Sequence, residues 1–172
     1  MFCQRCGGAT EPRIVEERER PVCVVCGMVT YLDPKLAVAV VIERDGLLLL
    51  GRRGPAASMS GRWSFPAGFV ERGEAVESAA MREAREETSL NVELGPLLGL
   101  YSRDGETVAL AVYAALGFSG EPTAGDDLDR VSWFRADDLP EMAFPHDRAI
   151  VDAWRTWWAS ETAPLLGEEW NS

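Results

Sequence analysis

The sequence predicts an α/β domain preceded by a small module closed by a metal ion. Three stretches carry that prediction. A valine-rich apolar run over residues 36–42 reads as a strand buried on both faces. A helical stripe runs from Val76 to Glu87. Two Cys-x2-Cys pairs, Cys3/Cys6 and Cys23/Cys26, lie ahead of both.

The chain has 172 residues, enough for one good core and a small appendage. With 47% hydrophobic and 26% charged residues it reads as globular. The net charge of −11 argues against a reader of nucleic-acid backbones, which needs a basic stripe. The same charge repels free nucleotides, so a phosphate substrate has to arrive with metal. Lys35 is the only lysine among 17 basic residues. No apolar run has the length to span a bilayer, and Met1-Phe2-Cys3 does not open a secretory signal, so a cytoplasmic protein is expected. In that compartment four cysteines are not expected to form structural disulfides.

The two cysteine pairs have the spacing of a closed four-thiolate zinc site. Each sits in a turn ended by glycine, Cys6-Gly7-Gly8 and Cys26-Gly27, which lets four sulfurs converge. About 30 residues cannot bury enough surface to fold alone, and metal binding supplies the deficit. A redox dithiol is the competing reading. Residues 11–20 are too charged for core and read as an exposed hairpin. Asp33-Pro34 marks the module boundary, giving an expected zinc module over 1–33 and a second domain over 34–162.

In that domain the strand at 36–42 turns at Asp45-Gly46 and returns as a second strand at 47–50, a hairpin. Residues 52–61 read as a loop, and Trp63 and Phe65 as packing residues. Strands are expected at 92–101 and 107–116, with a turn at Arg103-Asp104-Gly105, and a short one at 131–134. Ile150, Ala153, Trp154 and Trp157 share a helical stripe, predicting a closing helix over about 146–160. His146 reads as a helix-start residue beside Asp147. Residues 163–172 are expected to be a flexible tail.

The stretch 68–90 organises the rest. With Val76 at zero and 100° per residue, Ala80 falls at about 40°, Glu83 at about 340° and Glu87 at about 20°, with Glu86 beside the stripe at about 280°. The stripe therefore begins apolar and ends acidic. Glu83 and Glu87 repel as an i, i+4 pair near a helix C-terminus, where anions are disfavoured. Carboxylates on a core-facing stripe need a cation, and Mg²⁺ or Mn²⁺ takes oxygen ligands. Read alone, the helix also fits a solvated acidic face with Arg82 and Arg85 as surface partners.

Gly68, Glu74 and the run Arg82-Glu83-Ala84-Arg85-Glu86-Glu87-Thr88-Ser89-Leu90 together resemble the 23-residue signature of the Nudix hydrolases. The resemblance covers residues 35–160 and keeps every charged position. It departs at Ser89, where the family usually has Gly. A Cβ in the left-handed conformation expected there costs about 1 kcal/mol. The resemblance implies the Nudix fold, a mixed sheet sandwiched between helices, here behind a zinc ribbon found in a subset of the family. It implies metal-dependent hydrolysis of a nucleoside diphosphate linked to a group X. Glu83, Glu86 and Glu87 would hold Mg²⁺ or Mn²⁺ with the carbonyl of Ala67. Arg82 would orient a carboxylate, Glu74 would join the same network, and Gly68 would let the backbone pass close to the metal. The water-activating base would come from Asp126 or Asp127, with Glu83 as a competitor.

Substrate is less determined. NADH pyrophosphatases carry a Ser-Gln-Pro-Trp-Pro-Phe-Pro-like stretch that is absent after Leu90, which favours the FAD or ADP-ribose group. Tyr101, Trp133 and Phe144 are the base-stacking candidates, each also readable as core. Nudix domains often dimerise, so a homodimer is compatible. The rival from another class is a nucleotide-binding sensor whose ribbon docks a protein; the intact carboxylate set favours catalysis.

Overall fold

The structure, a computed structural model, describes residues 1–162. The expected tail at 163–172 lies outside the described residues. The chain divides into two compact units, Met1–Pro34 and one that begins at Lys35.

In the first unit β1 (Thr10–Val15) pairs antiparallel with β2 (Arg18–Cys23). This is the exposed hairpin expected between the cysteine pairs. Glu16 and Glu17 connect the strands with φ of 52° and 63°. Positive φ at both central residues is what a tight two-residue hairpin turn requires.

The second unit contains β3 (Lys35–Val41), β4 (Glu43–Arg44), β5 (Leu47–Arg53), β6 (Trp63–Ser64), β7 (Ala67–Phe69), α1 (Val76–Thr88), β8 (Asn91–Tyr101), β9 (Val108–Ser119), β10 (Leu128–Arg135) and α2 (Asp147–Thr162). One sheet runs β7-β3-β9-β8; a second runs β10-β5-β4, with β6 also on β5. Strand β3 lies parallel to β9 and antiparallel to β7, so its sheet is mixed.

Strand β3 shows how the layers are built. Alternate residues point to opposite faces. Val38, Val40 and Ile42 join Ala79, Ala80 and Ala84 of α1 in one core. Ala39 and Val41 join Ile150, Val151 and Trp154 of α2 in the other. Both sets are buried, as the continuous apolar run predicts.

The hairpin at Asp45-Gly46 differs from expectation. Strand β5 pairs with the two-residue β4, and β3 belongs to the other sheet. The chain leaves one sheet for the other at Ile42, whose carbonyl still accepts from the Leu49 N–H at 2.9 Å. Continuous hydrophobicity across residues 36–42 hides this bend. Strands β9 and β10 also run beyond the expected 107–116 and 131–134.

Candidate active site

The signature places its helix through ordinary backbone chemistry. Helix α1 ends at Ser89, which adopts φ 62° and donates its N–H to the Arg85 carbonyl at 2.9 Å. This is the left-handed cap that usually selects glycine.

Helical spacing turns Glu83 and Glu87 inward. They are only 8% and 5% exposed, while Glu86 stays in solvent. The Ala67 N–H donates to Glu87 Oε2 at 2.9 Å. Glu83 packs on the backbone at Gly68, where a Cβ would overlap its carboxylate. A side chain at this point would displace the Glu83 carboxylate from its place.

Arg82 ties the remaining acids together. Its Nε and Nη2 donate to the two oxygens of Glu74 at 2.9 and 3.0 Å, and Nη2 also reaches the Phe69 carbonyl at 3.0 Å. Its Nη1 donates to Glu83 at 2.7 Å and to Glu86 at 2.9 Å. Hydrogen bonding from Arg82 holds the Glu74 carboxyl down at about 2. Burial pushes Glu83 up despite Arg82, with the Glu86 and Asp126 charges adding to the rise. Glu87 is pushed up to about 8, first by burial, against the Ala67 hydrogen bond, and further by the charges of Glu83 and Asp126.

Two ionisable carboxyls so desolvated require positive charge if both are to ionise. The donor set is all oxygen, which suits a hard divalent cation. Here Glu83 and Glu86 both accept from the Arg82 Nη1, and Glu87 accepts from the Ala67 N–H.

The four cysteines are drawn together. The Cys3–Cys26, Cys6–Cys23 and Cys6–Cys26 sulfur pairs stand 3.7, 3.5 and 3.5 Å apart, and all four Sγ atoms lie within 4.8 Å of one another. Four sulfurs bound tetrahedrally at about 2.3 Å from one zinc would stand roughly 3.8 Å apart. The turns match in pairs: Gly7 donates to the Cys3 carbonyl and Gly27 to the Cys23 carbonyl, at 2.9 and 3.1 Å. Backbone N–H groups of Cys26 and Val25 lower the Cys23 thiol to about 6, against its burial. The set fits zinc.

A cavity of about 600 Å³ opens beside Ala67 and Gly68. Its walls include Arg53, Phe144 and Asp147 towards α2, and Tyr101, Glu106 and His146 further along. The Arg53 guanidinium lies 5.2 Å from the centre of the Phe144 ring. Asp147 is 3% exposed, accepts the Phe144 N–H at 2.7 Å, and is raised by burial to about 6. His146 pairs with the Tyr101 ring at 5.7 Å and sits 3.8 Å from the Glu106 carboxylate.

Of the stacking candidates, Tyr101 and Phe144 line this cavity. Trp133 packs against the α1-side core, with Phe118 and Arg44 against its ring. Sequence reasoning missed Arg53 and Asp147 and set His146 aside as a helix start. Arg53 ends a largely buried strand and Asp147 opens a helix, so neither carries a local pattern that distinguishes it from a solvated charge.

Fold, helix and comparisons together define a pyrophosphohydrolase. The chain belongs to the NUDIX family: the NUDIX domain matches residues 33–154, and the Nudix N-terminal family, a zinc ribbon, matches residues 1–32. The ADP-ribose pyrophosphatase of Methanocaldococcus jannaschii is 40% identical over 129 residues, covering 73% of this chain and 76% of that protein. The NAD-capped RNA hydrolase NudC of Pseudomonas aeruginosa is 30% identical over 157 residues, covering 87% of this chain and 52% of that protein. The chain thus spans about half the length of that relative. The crystal structure of a NUDIX hydrolase from Nitrosomonas europaea superposes with a TM-score of 0.81 at 29% identity, covering 95% of this chain and 93% of that one. Among the described residues no helix is long and apolar enough to cross a membrane.

Proposed function

We propose that this protein hydrolyses ADP-ribose, or a closely related nucleoside diphosphate derivative, to a nucleoside monophosphate and a phosphorylated group X. The observation that carries the reading is the pair of buried carboxylates, Glu83 and Glu87, packed behind Gly68 and Ala67, which line the cavity. Glu83, Glu86 and Glu87, with the Ala67 carbonyl, would hold Mg²⁺ or Mn²⁺, which supplies charge neutralisation for the phosphates and an acidified water. Asp126 or Asp127 accepts the proton of the attacking water. Arg82 orients Glu83 and Glu86, and Glu74 in turn fixes the guanidinium. Arg53 presents a fixed cation to the phosphates, and Phe144 and Tyr101 offer ring faces to the nucleoside. The ribbon folds around one zinc ion held by Cys3, Cys6, Cys23 and Cys26, and the protein works in the cytoplasm.

ADP-ribose ranks first because the archaeal relative is named for that substrate and the chain covers most of its length. NAD-like dinucleotides rank second on the NudC similarity, which spans half of that protein.

The test is a panel of ADP-ribose, FAD, NADH and nucleotide sugars with the full chain and Mg²⁺ or Mn²⁺. ADP-ribose should release AMP, and Glu86→Gln should reduce the rate at least about 100-fold. A panel left intact by wild-type protein would favour the nucleotide sensor instead.

A further inference from the structure

The cavity is not uniform in charge. Among the described residues that line it, Arg53 is the one arginine or lysine, and it stands beside Phe144. Further along, the wall is an acid: Glu106, in the turn between β8 and β9, with His146 and Tyr101 around it.

The turn fixes where Glu106 stands. Gly105 takes φ 82°, and the Glu106 N–H donates to the Arg103 carbonyl at 3.1 Å. The next residue is tied to β3, because the Thr107 carbonyl accepts the Lys35 N–H at 2.8 Å. The carboxylate has a neighbour on each oxygen: Arg103 Nη1 lies 3.7 Å from Oε1, and His146 Nε2 lies 3.8 Å from Oε2. Both separations exceed a hydrogen bond, so each oxygen keeps lone pairs for a ligand.

Tyr101 brings that acid to the nucleoside. Its hydroxyl donates to the Ala149 carbonyl of α2 at 3.5 Å, and its ring packs against His146 at 5.7 Å. A nucleoside on the Tyr101 face therefore has the Glu106–His146 pair next to its sugar. The two vicinal hydroxyls of a ribose are donors that a carboxylate accepts, and a phosphate on either of them is repelled. Dinucleotide-binding folds make the same choice, with an acid for a free ribose 2′-hydroxyl and an arginine for a 2′-phosphate.

We propose that Glu106, set by the β8–β9 turn and flanked by His146, is a specificity-determining residue that accepts the ribose hydroxyls of the bound nucleoside and refuses a 2′-phosphate. The inference rests on the reading of this cavity as the nucleotide site. It narrows the substrate class to nucleoside diphosphate derivatives whose nucleoside keeps a free vicinal diol. Discrimination then comes from a repulsive group as much as from an attractive one.

The experiment compares ADP-ribose with ADP-ribose 2′-phosphate in the full chain with Mg²⁺, for wild type, Glu106→Gln, Glu106→Arg and Arg103→Ala. Wild type should prefer ADP-ribose by about 10-fold or more in kcat/KM, through KM. Glu106→Gln should cut that preference about 10-fold while raising KM for ADP-ribose several-fold, and Glu106→Arg should reverse the preference. Arg103→Ala removes the other neighbour of the carboxylate and should keep the wild-type preference, which separates reading of the sugar from support of the turn. The Glu106 side chain is 45% exposed, so these variants should hold their thermal midpoints.

Equal kcat/KM for the two compounds in wild type, or a preference that Glu106→Gln and Glu106→Arg leave untouched, would overturn the assignment. If wild type cleaves neither compound, the proposed function fails separately. Calorimetric binding of AMP and of adenosine 2′,5′-bisphosphate then decides. Tighter binding of AMP by wild type, with the difference lost in Glu106→Arg, supports the assignment; equal binding, or binding of neither, overturns it.

Discussion

The cysteine cluster and the glutamate cluster, the two sites proposed to take a metal, are held together on different plans. In the ribbon, backbone turns at Gly7 and Gly27 gather four sulfurs before anything else is added. On α1, protein groups partner the acids: Glu83 and Glu86 share the Arg82 Nη1, and Glu87 takes a backbone N–H. The first plan suits a structural ion that never leaves, because all four positions are closed by protein. The second gives each acid a partner from the chain itself, a guanidinium for Glu83 and Glu86 and a backbone N–H for Glu87. The lesson is that a sequence signature decides which acids stand near one another, while the groups that partner them come from the rest of the fold.

The strongest way to break this comparison is to remove zinc. Chelation or Cys23→Ser should unfold the ribbon, since structural zinc contributes about 10–16 kcal/mol of apparent binding free energy in zinc-finger peptides. Metal analysis should find about one zinc per wild-type chain. A ribbon that keeps its amide exchange protection without metal would erase the contrast.

The glutamate site should respond to pH instead. Because Glu87 is raised to about 8, the native state holds a proton that the unfolded chain releases near the ordinary value of 4.5. Stability of the Mg²⁺- and Mn²⁺-free protein should therefore fall as pH rises from about 4.5 to about 8, by a few kcal/mol at most. Denaturant titrations across that window should show this slope. Glu87→Gln should flatten it, and saturating Mn²⁺ should reverse it if the ion binds the ionised form. The smallest effect belongs to the helix end. Ser89→Gly relieves the left-handed Cβ and should raise stability by up to about 1 kcal/mol, read from the denaturation midpoint.

Much of this was legible in the sequence because it is local. The cysteine spacing, the acidic stripe at 83–87 and the Ser89 helix end each depend on residues within a few turns of one another. The fold was legible through periodicity and resemblance, and both faces of β3 through its unbroken apolar run. What escaped depends on distant chain meeting: the sheet change at Ile42, the cavity walls supplied by Arg53 and Asp147, and the place of Trp133 on the α1 side of the sheet. An arginine at the end of a strand and an aspartate opening a helix look like ordinary surface charges until the layers close over them.

One consequence follows from the way β3 serves both cores. Odd and even positions on this strand answer to different helices, so a slip of a single residue in its pairing with β9 would not merely misplace one side chain. It would present alanines where α1 requires valines and valines where α2 accepts alanine, loosening both outer layers in one step. Sequence drift on this strand is therefore confined to swaps that respect parity, whatever the surrounding loops do to change what the enzyme accepts.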